Sequence, residues 1–330
     1  MLNVGINGFG RIGRLVFRNA VGRENFKITA INDLVDSATL AHMLKYDSNY
    51  GQMEGEIKAG QDHLLINGEM VKVFSEKDPA KIPWKESGVD LVIESTGRFR
   101  KRETASLHMQ AGAQRVVITA PGEADVVIVM GVNEHLYDPS KHFLVSNASC
   151  TTNALAPVVK VLHDHFTVKK GLMNTTHAYT NDQALVDQPH PDLRRARTAA
   201  LSIIPTSTGA AKTVGEVIPE LKGKIDGLAV RVPTSTVSLV DFVAELEREV
   251  TPAAVNEAFK QAAAGSSYLA FSDEPLVSVD YKGNPYSATV DGLSTMVVGG
   301  NLVRVLAWYD NEWAYANRVV DLVTMMAAAE

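Results

Sequence analysis

The stretch LNVGINGFGRIG at 2–13 restricts the possible folds more than any other part of this 330-residue chain. Residues 2–6 read as an apolar strand, and three glycines, Gly8, Gly10 and Gly13, then open a helix-like segment at 11–21. In that setting each glycine has its own task. Gly8 permits a tight turn, Gly10 lets a pyrophosphate approach the backbone, and Gly13 lets helix and strand pack closely. Asp33 lies twenty residues beyond Gly13, at the end of the next strand-like run, 27–33. Its carboxylate can accept hydrogen bonds from an adenosine ribose and repel a 2′-phosphate. The bland alternative is a glycine-rich turn in an α/β domain that binds no nucleotide.

The alternation continues. Helix-like segments at 37–46 and 102–112 separate strand-like runs at 89–96, 115–120, 126–132 and 142–148. Apolar strands alternating with helices predict a parallel sheet covered on both faces. A small antiparallel excursion at 56–76 should turn at Asn67-Gly68. Near residue 150 the character changes. A helix is expected over 151–166, with Ser149 as N-cap and Pro157 in its interior. Strand-like runs at 171–180, 227–234, 236–247, 276–281 and 301–310 surround one helix at 252–265. That pattern predicts an α+β domain with a mainly antiparallel sheet covered on one face. A final helix carries apolar residues at 316, 319, 320, 323 and 326, and the first domain's sheet is the expected place for it. The expected division is therefore 1–149, completed by a C-terminal helix at 314–330, and 150–313. The segment 181–200 has two prolines, three arginines and no periodicity; loops of that length in compact domains are usually functional or disordered, and the arginines and the apolar sequence on both sides favour functional.

Composition excludes several classes. A net charge of −6 and a pI of about 5.9 argue against a dedicated nucleic-acid partner. The longest apolar runs, such as 126–132, are too short to span a bilayer, so no membrane partner is expected. Met1 is not followed by a charged segment and an apolar core of the secretory kind, which points to a cytoplasmic location. A single cysteine rules out an intrachain disulfide and a Cys-based zinc cluster, and no metal is expected.

That cysteine, Cys150, sits in SNASCTTN at 146–153. A lone cysteine is more often a small buried hydrophobe than a nucleophile. Here it follows the N-cap candidate Ser149, where the positive end of a helix favours a thiolate. A nucleophile needs a base, and His177, in a polar strand-like run, is the best candidate; the alternative is a hydrogen-bonded structural histidine. His163 and His165 read as solvated, and His190, between two prolines, as loop scaffold. A cysteine nucleophile with a nicotinamide cofactor suggests aldehyde oxidation. The thiolate adds to the carbonyl, hydride passes to NAD, and the resulting thioester goes to water or another acceptor. Arg195 and Arg231 suit phosphate by residue type, and TSTGAAK at 206–212 offers hydroxyls and N–H groups before a helix.

Together NGFGRIGR, SNASCTTN, HAYTNDQ, DLRRAR, IIPTSTGAAK and WYDNEWAYANR closely resemble the phosphorylating glyceraldehyde-3-phosphate dehydrogenases, in family order and spacing from residue 2 to the last helix. The resemblance implies a Rossmann-type NAD domain, a catalytic α+β domain and a homotetramer. It implies reversible oxidative phosphorylation of D-glyceraldehyde 3-phosphate with NAD and inorganic phosphate, through a hemithioacetal and a thioester on Cys150. By this resemblance His177 is the acid/base partner, and Thr180 and Arg231 bind the substrate phosphate. Ser149, Thr151, Thr208 and Gly209 bind the attacking phosphate, with Arg195 near both anions. Arg11 and Ile12 supply the phosphate turn, Asp33 the ribose contact, Lys77 and Thr119 flanking contacts, and Asn311 and Tyr315 the nicotinamide end. Ala154 replaces a second cysteine common in the family, and Gln188 replaces a common Leu near the cofactor-specificity positions. The closest alternative is an erythrose-4-phosphate dehydrogenase, which releases the acid. A different class is a non-catalytic nucleic-acid-binding role of the dinucleotide fold.

Overall fold

The structure, a computed structural model, describes residues 1–329. It divides into two compact units. The first contains Met1–Ile128, His135–Ala148 and the residues from Ala316 onward; the second contains Val129–Glu134 and Ser149–Tyr315.

In the first unit the elements run β1 (Leu2–Asn7), α1 (Arg11–Ala20), β2 (Phe26–Asn32), α2 (Ser37–Lys45), β3 (Tyr46–Asp47), β4 (Gly51–Gln52), β5 (Ile57–Ala59), β6 (His63–Ile66) and β7 (Glu69–Phe74). They continue as β8 (Leu91–Glu94), α3 (Arg102–Ala105), α4 (Leu107–Gln110), β9 (Arg115–Ile118), β10 (Val126–Val127) and β11 (Leu144–Ser146). Nine strands form one sheet in the order β10-β11-β9-β8-β1-β2-β7-β6-β5. From β10 to β7 the neighbours are parallel, and β6 and β5 add antiparallel. The strand order reverses between β1 and β8, and the carboxyl ends at such a switch point are where open α/β sheets bind ligands. The β6–β7 hairpin turns at Asn67-Gly68, both with positive φ (54° and 85°), the conformation its two-residue turn requires.

The second unit starts with α5 (Cys150–Phe166), β12 (Val168–Ala178), β13 (Ile204–Ser207), α6 (Ala210–Val217), β14 (Ile225–Val232) and β15 (Ser238–Leu246). It goes on through α7 (Pro252–Ala264), β16 (Leu269–Ser272), β17 (Ala288–Val298), β18 (Leu302–Tyr309) and the start of α8 (Trp313–Ala328). Its sheet order is β13-β14-β12-β15-β18-β17-β16. Four of the six pairings are antiparallel; β12–β14 and β16–β17 are parallel. The helical stripe of α8 is fully buried at Ala316, Val319, Val320, Val323 and Met326.

Several expected elements differ. Only Val126 and Val127 of the run 126–132 form a strand, because the Asn133 side chain accepts from Val129 N (2.8 Å) and closes a turn. The helix expected over 102–112 is two short pieces, α3 and α4. The run 276–281 is no strand: Asp280 accepts from Val277 N (2.8 Å) and winds Ser278–Tyr281 into a 3₁₀ turn. Strand β17 carries no clear strand pattern because Gly292 interrupts it; a Cβ there would lie 2.2 Å from the Phe271 ring.

Candidate active site

Helix α5 starts at Cys150 because Ser149, in extended conformation, accepts from Thr152 N through its hydroxyl (3.0 Å). Strand β12 presents Thr175 and His177 on one face, two residues apart. These two elements bring Cys150 Sγ to 3.5 Å from His177 Nε2. His177 Nδ1 lies 2.7 Å from the Ala178 carbonyl and 3.1 Å from Arg231 Nη1. One nitrogen cannot both donate to the carbonyl and accept from the guanidinium. The shorter contact fixes Nδ1 as the donor and leaves the Nε2 lone pair facing sulfur.

Burial, then the neighbouring Arg231 charge, pushes the His177 pKa down to about 3, so the ring is neutral and Nε2 is unprotonated. Cys150 is partly exposed, yet its sulfur is packed deeply enough for desolvation to push the thiol up. The Arg231 charge and hydrogen bonds to Thr151 pull the other way and do not outweigh it. The desolvation of the sulfur thus opposes the thiolate that the helix start and Arg231 favour.

Around this pair lie two arginines. Arg231 sits opposite His177 in the β12–β14 register and donates through Nη1 to Ala178 O (3.1 Å) and Thr180 Oγ1 (2.9 Å). Its Nε is buried with no partner among the described residues, an N–H suited to an anion. Arg195 donates to Asp182 Oδ2 (2.5 Å), Thr206 Oγ1 (2.8 Å) and Ser207 O (3.1 Å). Thr180 also donates to Asp182. Burial alone would raise the Asp182 carboxyl, but the Thr180 hydroxyl and the charges of Arg231 and Arg195 hold it below its usual range. Thr208 Oγ1 accepts from Ala210 N (3.2 Å), and Gly209 caps α6 with open space around it.

Two residues of this cluster were not anticipated. Tyr309 OH bridges Thr151 Oγ1 and Thr175 Oγ1, each at 2.9 Å, and its ring meets the His177 ring edge-on at 6.0 Å. Burial and the adjacent Cys150 push its hydroxyl up, so it stays protonated. Asp182 lies in the segment 181–200, whose sequence assigns no role to this acid. Of the other histidines, His163 is not simply solvated, since its Nδ1 accepts from Val168 N (3.2 Å). His190 accepts from Asp192 N (2.9 Å) and scaffolds the loop.

In the first unit, Gly8 has φ +91° and its Cβ would lie 2.8 Å from Thr96, while a Cβ on Gly13 would lie 2.2 Å from Gly8 O. Gly10 has nothing within 4 Å, so the turn leaves a cradle that only a side chain or ligand would fill. Asp33 Oδ2 accepts from Phe9 N at 2.6 Å, tying β2 to the turn. Arg11 turns its side chain to Asp47 (2.6 Å), so only its backbone, like that of Ile12, is available at the start of α1. Thr119 donates to Glu94 O through N (3.0 Å) and Oγ1 (3.1 Å), and Lys77 is exposed. The cradle, the carboxylate and the helix start fit a dinucleotide. Asn311 and Tyr315 belong to the second unit; Asn311 Oδ1 accepts from Ser238 Oγ (2.9 Å), and Tyr315 is buried.

Residues 2–102 match the family described as glyceraldehyde 3-phosphate dehydrogenase, NAD binding domain, and residues 149–311 its C-terminal domain. A glyceraldehyde-3-phosphate dehydrogenase of Geobacillus stearothermophilus is 56% identical over 330 residues, covering 99% of this chain and 98% of the relative. Glyceraldehyde-3-phosphate dehydrogenase 1 of Bacillus subtilis is 56% identical over 329 residues, with 99% and 98% covered. Glyceraldehyde-3-phosphate dehydrogenase 2 of Trichormus variabilis is 52% identical over 333 residues, with 99% of each covered.

Proposed function

The chain belongs to the glyceraldehyde-3-phosphate dehydrogenase family, and from that premise we propose how its residues divide the reaction. It is an NAD-dependent oxidoreductase acting on glyceraldehyde 3-phosphate. The observation that carries the assignment of roles is the 3.5 Å approach of Cys150 Sγ to the unprotonated Nε2 of His177. As sulfur adds to the aldehyde carbon, its proton passes through Nε2 to the carbonyl oxygen and a hemithioacetal forms. NAD, when bound, supplies the hydride acceptor. His177 Nε2 takes the hemithioacetal hydroxyl proton as the C–H bond breaks, which leaves a thioester on Cys150 and an imidazolium. Inorganic phosphate attacks the thioester, the carbon–sulfur bond breaks to release the acyl phosphate, and the leaving sulfur takes the imidazolium proton, which restores the Cys150 thiol and neutral His177.

Arg231, with its partnerless Nε, and Thr180 are assigned to the substrate phosphate. Ser149, Thr151, Thr208, Gly209 and Arg195 are assigned to the attacking phosphate; Asp182, which pairs with Arg195 and Thr180, must yield when the anions arrive. For the dinucleotide, Gly8, Gly10, Gly13, Arg11 and Ile12 form the phosphate turn and the second oxygen of Asp33 takes the ribose. Lys77 and Thr119 flank it, and Asn311 and Tyr315 meet the nicotinamide end. Comparing NADH formation from glyceraldehyde 3-phosphate with and without inorganic phosphate tests this division. Sustained turnover should require phosphate, and equal steady rates without it would overturn the proposal.

A homotetramer in the cytoplasm completes the proposal. Exposed Leu172, Leu228, Leu293, Met296 and Val298 on the second unit's sheet support association, because so many large apolar side chains on one sheet favour burial against another chain. Among the described residues no helix is long and apolar enough to cross a membrane. Light scattering should give the mass of four chains; a monomer at working concentration would contradict the assembly.

A further inference from the structure

Five side chains, each at most 3% exposed, form a continuous hydrogen-bonded chain in the first unit: Trp84, His108, Glu94, Asn7 and Asn32. The mechanism uses none of them. At one end the Trp84 indole donates to His108 Nδ1 (3.1 Å). An indole N–H only donates, so Nδ1 must accept and Nε2 carries the ring proton, which it gives to Glu94 Oε2 (2.9 Å). Asn7 Nδ2 donates to the same oxygen (2.6 Å), and the other carboxyl oxygen accepts from Thr96 N (2.8 Å) and the Thr96 hydroxyl. Asn32 Nδ2 donates to Asn7 Oδ1 (2.8 Å), and Asn32 Oδ1 accepts from Glu76 N (2.8 Å). No lysine or arginine is among the described partners of Glu94. A buried carboxyl group without a cation holds its place only through such donors.

The placement of this chain is what gives it a role. Asn7 ends β1 and precedes Gly8; Asn32 ends β2 and precedes Asp33; Glu94 ends β8 and precedes Ser95-Thr96; Glu76 precedes Lys77. The segments that follow β1, β2 and β8, and Lys77, each begin one residue beyond a member of the chain or its terminal partner, while Thr119, after β9, is tied to Glu94 O. The last backbone bonds between these strands run from Gly8 N to Asn32 O (2.8 Å), from Ser95 N to Asn7 O (2.8 Å) and from Thr119 N to Glu94 O (3.0 Å), so the side-chain bonds add a second lateral tie at the level where the loops begin. Trp84 is itself held against β1: a Cβ on Gly5 would lie 2.7 Å from the indole.

We propose that His108 and Glu94 are positioning residues of the dinucleotide site, setting the spacing of the Gly8 turn, Asp33 and Thr96 and thereby the affinity for the adenosine diphosphate half of NAD. This rests on the assignment of the first unit to NAD. His108→Leu removes the donor to Glu94 and the acceptor for Trp84 while filling the volume. His108→Gln can restore one donor and one acceptor, and Glu94→Gln places an amide donor against two donors.

Calorimetric titration of the cofactor-free proteins with NAD and with ADP-ribose, beside thermal melting and kcat at saturating NAD, tests the proposal. The expected result is a tenfold or larger rise in Kd for both ligands in His108→Leu and Glu94→Gln. The rise should be mostly reversed in His108→Gln, with kcat at saturating NAD within about twofold of the unaltered chain. Lowered melting with unchanged Kd in the folded variants would make the chain a structural buttress and overturn the proposal, as would a fall in kcat without a change in Kd. If His108→Leu does not fold, Glu94→Gln and His108→Gln decide by the same readout. Failure of the unaltered protein to bind NAD would instead overturn the cofactor assignment itself.

Discussion

His177 shows how burial and hydrogen bonding choose a protonation state. The Ala178 carbonyl takes the Nδ1 proton, and burial together with Arg231 keeps Nε2 bare down to about pH 3. The unfolded chain binds that proton near the ordinary value of 6.5. Between those values the unfolded state holds more protons, so stability rises with pH and is lost as pH falls from about 6.5 toward 3. His177→Asn removes this contribution. In urea unfolding, the unaltered chain should lose on the order of 1 kcal/mol more than the variant between about pH 6.5 and 5. Parallel losses in the two proteins would show that His177 is not held neutral by the fold. Cys150, His177 and Arg231 were legible in the sequence because their chemistry is specific to residue type. Tyr309 was not: nothing in a strand-end aromatic says that its hydroxyl reaches Thr151 across 158 positions of sequence. Asp182 was hidden for a related reason, since an exposed-looking loop acid reads as solvated until its arginine partners are placed.

At the scale of elements, the turn between β1 and α1 separates two kinds of glycine. A Cβ on Gly13 would sit 2.2 Å from Gly8 O, while one on Gly10 would meet nothing within 4 Å. Gly13→Ala should therefore lower the melting temperature of the cofactor-free protein by several degrees and weaken NAD as well. Gly10→Ala should leave melting near the unaltered value and weaken NAD by about tenfold or more, because its methyl group enters only the open space that we assign to the pyrophosphate. Equal melting in the two variants would contradict this division, and scanning calorimetry with NAD titration measures both. The alternation of strands and helices in the first unit was readable because parallel strands buried on both faces are uniformly apolar. The second sheet was harder. Val277 and Val279 look like a strand, yet they are exposed on a turn wound by Asp280, and Gly292 disguises a real strand whose close approach to Phe271 requires it. In both cases a single side-chain contact outside the local pattern decides the structure.

For the whole molecule, the proposed reaction divides its tasks between the two units by architecture. The parallel sheet gathers a glycine cradle, Asp33 and the Glu94 chain at its carboxyl ends, and the mostly antiparallel sheet supports Cys150, His177 and the two arginines. The central claim is that oxidation passes through a thioester on the single cysteine of the chain. Intact-mass spectrometry of the protein mixed with glyceraldehyde 3-phosphate and NAD, without inorganic phosphate, tests it most directly. The account predicts one 3-phosphoglyceryl adduct per chain at Cys150, lost when phosphate is added and absent from Cys150→Ser; NADH formation with no adduct on Cys150 at any time would contradict it.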